Sequence, residues 1–267
     1  MPLKVKDIAY IMECFAPAEL KESYDNVGLM VGRSGCLVTK ILVALDCTLQ
    51  VIDEAINSGC NLIITHHPLL FRKPNSITTN TLQGKKIIKL IENNINLYSS
   101  HTNLDSTPGG INEIIMSLLN FDENMIIDAS LLNPKAGIGR IAILDKAITL
   151  EELMHRVKLK LHIQTLRYCG DEYKKISKVA VINGSGEDYI ERAIQLGADC
   201  IITGDTTYHY ISDCNEDGIA IIDAGHFDTE WPAMKFVADI IDKEVKLLGY
   251  NACTIMSKST VNPYKFK

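Results

Sequence analysis

Three short segments hold four of the chain's seven histidines. They are Thr65-His66-His67-Pro68, His101-Thr102-Asn103-Leu104-Asp105 and His226-Phe227-Asp228-Thr229-Glu230. Imidazole and carboxylate without thiolate suit zinc, iron, manganese or cobalt better than calcium or magnesium. Five groups, His66, His67, Asp105, His226 and Glu230, are more than one ion with an open position requires. Two divalent ions bridged by a carboxylate or a water would use them all. Such a pair lowers the pKa of bound water and clamps both the attacking and the leaving oxygen. His101 and Asp228 read as groups that orient the ligands. Each segment alone has a plainer reading. A His-His pair is commonly a half-buried hydrogen-bonding pair. His-x-x-x-Glu is often a surface or helix-start contact. Asp105 could be an Asx turn or a cap before Pro108. The three segments together favour the metal.

Other polar stretches carry less. Asn183-Gly184-Ser185-Gly186 could cradle an anion at a helix N-terminus, but a tight turn between strand and helix is the simpler reading. Gly204-Asp205-Thr206-Thr207-Tyr208-His209 offers Asp205 and His209 as candidate proton-transfer groups, with a helix-capping role for Asp205 equally open. Glu22 to Gly32 reads as a turn entering a strand. No Gly-x-Ser-x-Gly elbow, Walker A sequence or Rossmann fingerprint occurs, which disfavours a serine hydrolase or a P-loop enzyme.

The elements that must position these groups alternate between strand and helix, the pattern of an α/β protein. Ile41–Leu45 reads as a buried strand, followed by a helix that Thr48 caps and Ser58-Gly59 ends. Asn61–Thr65 is the next strand, a helix over 82–93 follows, and then the strand Ile95–Ser99. Thr107-Pro108 opens a further helix. The stretch 120–139 is irregular and suggests a boundary between domains 1–125 and 126–267, with 226–267 expected to pack back on the first. Beyond it lie a strand near Arg140–Leu144 and a helix with a Thr149/Glu152 capping box. Strands near 163–168, 179–182, 200–203 and 219–223 and helices over 187–196 and 230–243 complete the order. An internal repeat links the two parts: Ile41–Thr65 lies over Val179–Thr203 at an offset of 138 without gaps. The next strand matches at an offset of 125, placing His101 on His226 and Asp105 on Glu230. The expected fold is therefore α/β, with two related halves and mixed, largely parallel sheets. The metal site is expected at strand C-terminal ends between the halves, where parallel sheets place their sites.

Composition narrows the function classes. The chain has 267 residues, a formal charge of −6, 46% hydrophobic and 22% charged residues, which excludes an extended disordered chain. The acidic balance argues against nucleic acid as a partner. No apolar run approaches the ~18–20 residues that a bilayer requires, so no membrane partner is expected. The N-terminal apolar residues Val5, Ile8, Ile11, Met12 and Phe15 follow helical spacing rather than a signal-peptide pattern. Eight scattered cysteines without a Cys-x-x-Cys read as reduced, core-filling thiols, which suggests the cytoplasm.

Tyr24-Asp-Asn-Val-Gly-Leu29, Ile64-Thr-His-His-Pro-Leu-Leu-Phe71, His101-Thr-Asn-Leu-Asp105, Thr203-Gly-Asp205 and Gly225-His226 with Thr229-Glu230 resemble, together and in order, the Nif-three-like family. Its members are also called GTP cyclohydrolase I type 2 homologues. The length resembles the short family form, which lacks a domain inserted mid-chain. The resemblance implies a two-domain α/β subunit in a ring-shaped homohexamer with two metal ions per subunit, zinc, iron or manganese. It carries the ligand roles to His66, His67, Asp105, His226 and Glu230. Tyr24 departs from the tryptophan usual in the family. The implied activity is metal-dependent hydrolysis of a nucleotide-like or phosphoester small molecule. The alternative is a non-catalytic metal-binding scaffold or metal chaperone.

Overall fold

The computed structural model describes residues 2–267. In chain order the main elements are α1 (Val5–Phe15), β1 (Gly28–Val31), β2 (Lys40–Ala44), α2 (Leu49–Ser58), β3 (Leu62–Thr65), α3 (Leu82–Glu92), β4 (Asn96–Ser99), α4 (Thr102–Ser106) and α5 (Ile111–Leu118). They continue with β5 (Met125–Ala129), β6 (Gly137–Thr149), α6 (Leu150–Leu161), β7 (Arg167–Cys169), β8 (Lys175–Ser185), α7 (Glu187–Gln195) and β9 (Cys200–Gly204). The chain closes with α8 (Tyr208–Glu216), β10 (Ala220–Asp223), α9 (His226–Leu247) and β11 (Cys253–Met256). It divides into two compact units. One runs through Leu104 and takes in Met234–Pro263; the other comprises Asp105–Ala233 and Tyr264–Lys267.

The first unit holds a five-stranded sheet ordered β1-β4-β3-β2-β11, parallel except for the edge strand β1. Its central strands β2 and β3 are apolar over Ile41–Ala44 and Leu62–Ile64, the run expected where helices cover a parallel sheet. Leu42, Ile52, Ile63, Leu90 and Leu97 are fully buried together, and each such side chain contributes about 1.5–3 kcal/mol. The helix signals act as the sequence implies. Thr48 Oγ1 accepts the Val51 amide at 3.1 Å, and Gly59 ends α2 at φ 69°.

The second unit holds a six-stranded sheet ordered β5-β6-β8-β9-β10-β7. β8, β9 and β10 are parallel, and the outer pairings are antiparallel. The Thr149/Glu152 capping box forms at 3.1 and 2.7 Å. The irregular-looking stretch 120–139 folds instead as the β5–β6 hairpin, with Met125 opposite Ile141 and Ala129 opposite Gly137. Asn133-Pro134 marks its turn, and Gly137 and Gly139 lie within β6.

The repeat is visible in the strand registers. Ile41 pairs with Leu62 and Val179 with Cys200, so both members of the pair shift by 138. The following strand corrects the expected offset. Thr65 faces Ser99 while Thr203 faces Asp223, an offset of 223 − 99 = 124 for the strand, whereas the histidines keep 226 − 101 = 125. One extra residue follows β10. Gly225, at φ 92°, stands in that exit, in a backbone conformation that a side chain would strain.

Among the described residues no helix is long and apolar enough to cross a membrane. All eight cysteines are free thiols, and burial pushes the Cys47 thiol up to about 12, as for inert core sulfur.

Candidate metal centre

In the first unit, His66 and His67 leave the C-terminal end of β3, and His101 leaves that of β4. These are neighbouring parallel strands, so their exits bring the three rings together. Ring centroids are 5.0 Å apart for His66 and His67, 5.1 Å for His66 and His101, and 5.6 Å for His67 and His101. One nitrogen from each ring lies within 4.8 Å of the other two. His101, expected only to orient other groups, thus offers a donor to the same cluster.

Each ring is held by its Nδ1. His66 Nδ1 is 2.9 Å from the Ser100 carbonyl, His67 Nδ1 is 2.9 Å from Asp46 Oδ1, and His101 Nδ1 is 2.9 Å from Asp25 Oδ1. A carbonyl or an ionised carboxylate can only accept, so Nδ1 carries a proton, and in the neutral ring the lone pair is on Nε2. This is the outer-shell arrangement found behind metal-bound histidines. Asp25 is buried, and burial alone would raise its carboxyl. The hydrogen bonds from His101 and Thr102 outweigh that and hold it well below the usual carboxylate range. Thr102 supplies both its amide at 3.0 Å and its hydroxyl at 2.5 Å. Asn103 fixes the same exit: its side-chain oxygen accepts the His101 amide, and its Nδ2 donates to the Ala16 carbonyl at 2.6 Å. Tyr24 is exposed, its ring edge-on to Phe71 at 6.3 Å.

In the second unit, the His226 to Glu230 segment is not a strand-end loop but the first turn of α9. Helical spacing puts His226 and Glu230 on one face, with Nε2 and Oε2 3.1 Å apart. His226 Nδ1 is 2.8 Å from Asp205 Oδ2, the same anchoring as in the first unit. With that proton on Nδ1, two acceptor atoms face each other at 3.1 Å, a geometry that calls for a cation between them or a second proton on the ring. Asn183 Nδ2 donates to Asp105 Oδ1 at 2.9 Å and to Glu230 Oε1 at 3.2 Å, holding two buried carboxylates with one amide. Gly184 has no room for a side chain, since a Cβ there would lie 2.2 Å from Glu230 Oε1. Asn183-Gly184, read as a turn, therefore supports ligands. Asp228 is half-buried on the first turn of α9. His209 is exposed on α8, its ring against Tyr208.

Gly204, aligned with His66 in the repeat, explains why the second half carries no matching histidine. A Cβ at 204 would stand 2.5 Å from the His226 amide. The adjoining Asp205, aligned with His67, anchors His226 instead.

The residues fit a metal. Four imidazoles are each oriented through Nδ1 by a carbonyl or carboxylate, and two buried carboxylates, Asp105 and Glu230, share the Asn183 amide. Asp25, Asp46 and Asn183 were not singled out from sequence as ligand supports. The first and last stood in the right segments, and Asp46 stood one residue after the strand Ile41–Leu45.

Comparison with known proteins places the chain in a family. A "GTP cyclohydrolase 1 type 2 homolog" of Clostridium acetobutylicum is 56% identical over 268 residues, covering 100% of both chains. A crystal structure of a hypothetical protein of Staphylococcus aureus superposes with a TM-score of 0.93 at 31% identity over 100% of both chains. The crystal structure of a Bacillus cereus protein related to NIF3 gives 0.94 at 25% identity, again over 100% of both. The match to the Duf34/NIF3 (NGG1p interacting factor 3) family runs over residues 3–263, nearly the whole of this mixed α/β chain, so the chain belongs to that family.

Proposed function

We propose that this protein binds two divalent metal ions per subunit and uses them to hydrolyse a nucleotide-like or phosphoester substrate. The proposed ligands are His66, His67, Asp105, His226 and Glu230, with His101 as a further donor. The observation that carries the reading is the shared anchoring of four imidazoles through Nδ1, which orients each ring as behind a metal-bound histidine. Bound divalent ions supply Lewis acidity, which activates a water and polarises the bond to be cut. The chain's own residues do the positioning. Ser100, Asp46, Asp25 and Asp205 hold the rings, and Asn183 holds Asp105 and Glu230. The name borne by the Clostridium acetobutylicum relative supports a nucleotide such as GTP as the first substrate to try.

Elemental analysis of untreated protein, repeated on His67→Ala, tests the binding. Two equivalents of zinc, iron or manganese in the wild type and fewer in the variant are expected. Assay against GTP and phosphoesters tests the reaction, and equal turnover by wild type and Glu230→Ala would remove it. The rival reading, a metal-binding scaffold or metal chaperone, draws on His209. That candidate proton-transfer group is exposed on α8 with its ring on Tyr208. Stoichiometric metal transfer without turnover would favour it. The family resemblance carries a homohexameric ring with this reading, and light scattering at six chain masses is its test.

A further inference from the structure

In the second unit, α8 covers the edge of the sheet formed by β10 and β7 without filling the space beneath it. A cavity of about 480 Å³ remains, within the range of small-molecule sites. Its floor is apolar: Ile221 and Cys169 sit opposite each other across the strand pair, and Ile211 comes down from the helix. Its rim is polar. Tyr208, Ser212 and Asn215 project from the same helical stripe as Ile211, spaced three and four apart, and all three are exposed. The helix packs on the sheet through Tyr210, Ile211 and Cys214, and the three polar residues flank that face at the cavity's edge.

Charge decides the class of occupant. The one lining cation, Arg167, is paired with the buried carboxylate of Asp223, its cross-strand neighbour. The cavity is therefore close to neutral and gives a bare phosphate little attraction. It presents a flat apolar floor, an aromatic ring at the mouth and donors and acceptors around the rim. That combination suits an uncharged planar heterocycle with hydrogen-bonding edges.

The wall is also tied to the candidate metal centre. Asp223 Oδ2 accepts the Thr206 hydroxyl at 2.6 Å, and its Oδ1 accepts the Gly225 amide at 3.1 Å. Thr206 follows Asp205 and Gly225 precedes His226, the pair joined at 2.8 Å. One carboxylate thus links a lining residue of the cavity to both sides of the histidine anchor.

We infer that the cavity between α8 and the β10–β7 edge is a binding site for a nucleobase-type heterocycle. This deepens the hydrolase reading by locating a subsite for the substrate's ring, and it rests on that reading for its purpose but not for its test. The test is calorimetric titration of the full-length, metal-loaded protein with guanosine, adenosine, uridine and ribose 5-phosphate, repeated after chelation. At least one nucleoside is expected to bind with and without metal, whereas ribose 5-phosphate, which lacks the base, is not expected to bind the chelated protein. Ile211→Trp, which fills the cavity, and Tyr208→Ala, which removes the ring, should each weaken binding about fivefold or more with metal content unchanged. Asn215→Ala, an exposed change, covers the case in which Ile211→Trp does not fold, and should also weaken binding. Binding that survives chelation and responds to these variants supports the site even where no hydrolysis is found. No nucleoside binding up to millimolar concentration, or binding indifferent to the variants, overturns it even where phosphoesters are hydrolysed.

Discussion

His226 Nδ1 stands 2.8 Å from Asp205 Oδ2, and Asp205 holds that position with a left-handed backbone, φ 50°. The second half of the repeat thus uses a carboxylate, at the position where the first half has His67, to aim a histidine. Asp205→Ala is expected to lower metal affinity about 10–100-fold, the usual effect of losing an outer-shell partner. Asp205→Asn keeps an acceptor and tolerates the same φ, so it should lose less. Competition with a chromophoric chelator measures both, and unchanged affinity in the alanine variant would separate Asp205 from the metal.

Gly184 carries a second prediction. At φ 59°, with Glu230 Oε1 2.2 Å from the place of a Cβ, alanine would be strained and would push the carboxylate aside. Gly184→Ala should cost about 1–3 kcal/mol of stability and lower bound metal. Urea unfolding with parallel elemental analysis reads both effects.

Asn183 holds Asp105 and Glu230 with one amide. Asn183→Ala leaves two buried carboxylates short of a donor, at a cost of about 1–3 kcal/mol in chelated protein. Asn183→Asp adds a third negative charge and should cost more. If the aspartate variant proves as stable as wild type in chelator, the carboxylates are not held as described.

Glu54 gives a pH prediction far from the metal ligands in sequence. Burial would raise its carboxyl, but hydrogen bonds from the Ser257 hydroxyl and the Lys258 and Ser259 amides outweigh that and lower it. A folded-state value below the unfolded one means the contribution is complete above the ordinary glutamate pKa and is lost as pH falls through the folded value. Amide protection over 257–260, taken relative to the intrinsic exchange rate at each pH, should therefore stay high at neutral pH and fall in acid. Glu54→Gln should lower that protection at neutral pH already, with little further change on acidification.

Much of the fold was legible because its signals are local. Thr48 and Gly59 bound α2, the Thr149/Glu152 box opens α6, and apolar runs mark the buried parallel strands. The 120–139 hairpin was harder to read: Gly137 and Gly139 punctuate the start of β6, and only pairing with β5 shows that Gly137 lies within the ladder. The helical start of α9 was likewise hidden: the sequence pattern places that helix over 230–243, whereas α9 begins at His226.

For the site, the sequence alone determined which side chains could ligate, because imidazoles and carboxylates declare their chemistry at their own positions. It also placed His66, His67 and His101 at strand ends. Only the tertiary structure decided which nitrogen each imidazole offers. That choice rests on Asp25, 76 positions before His101, on Asp46, 21 before His67, and on Asp205, 21 before His226. A hydrogen bond depends on separations of tenths of an ångström, which the chain reaches only when neighbouring strands of a sheet bring distant loops side by side.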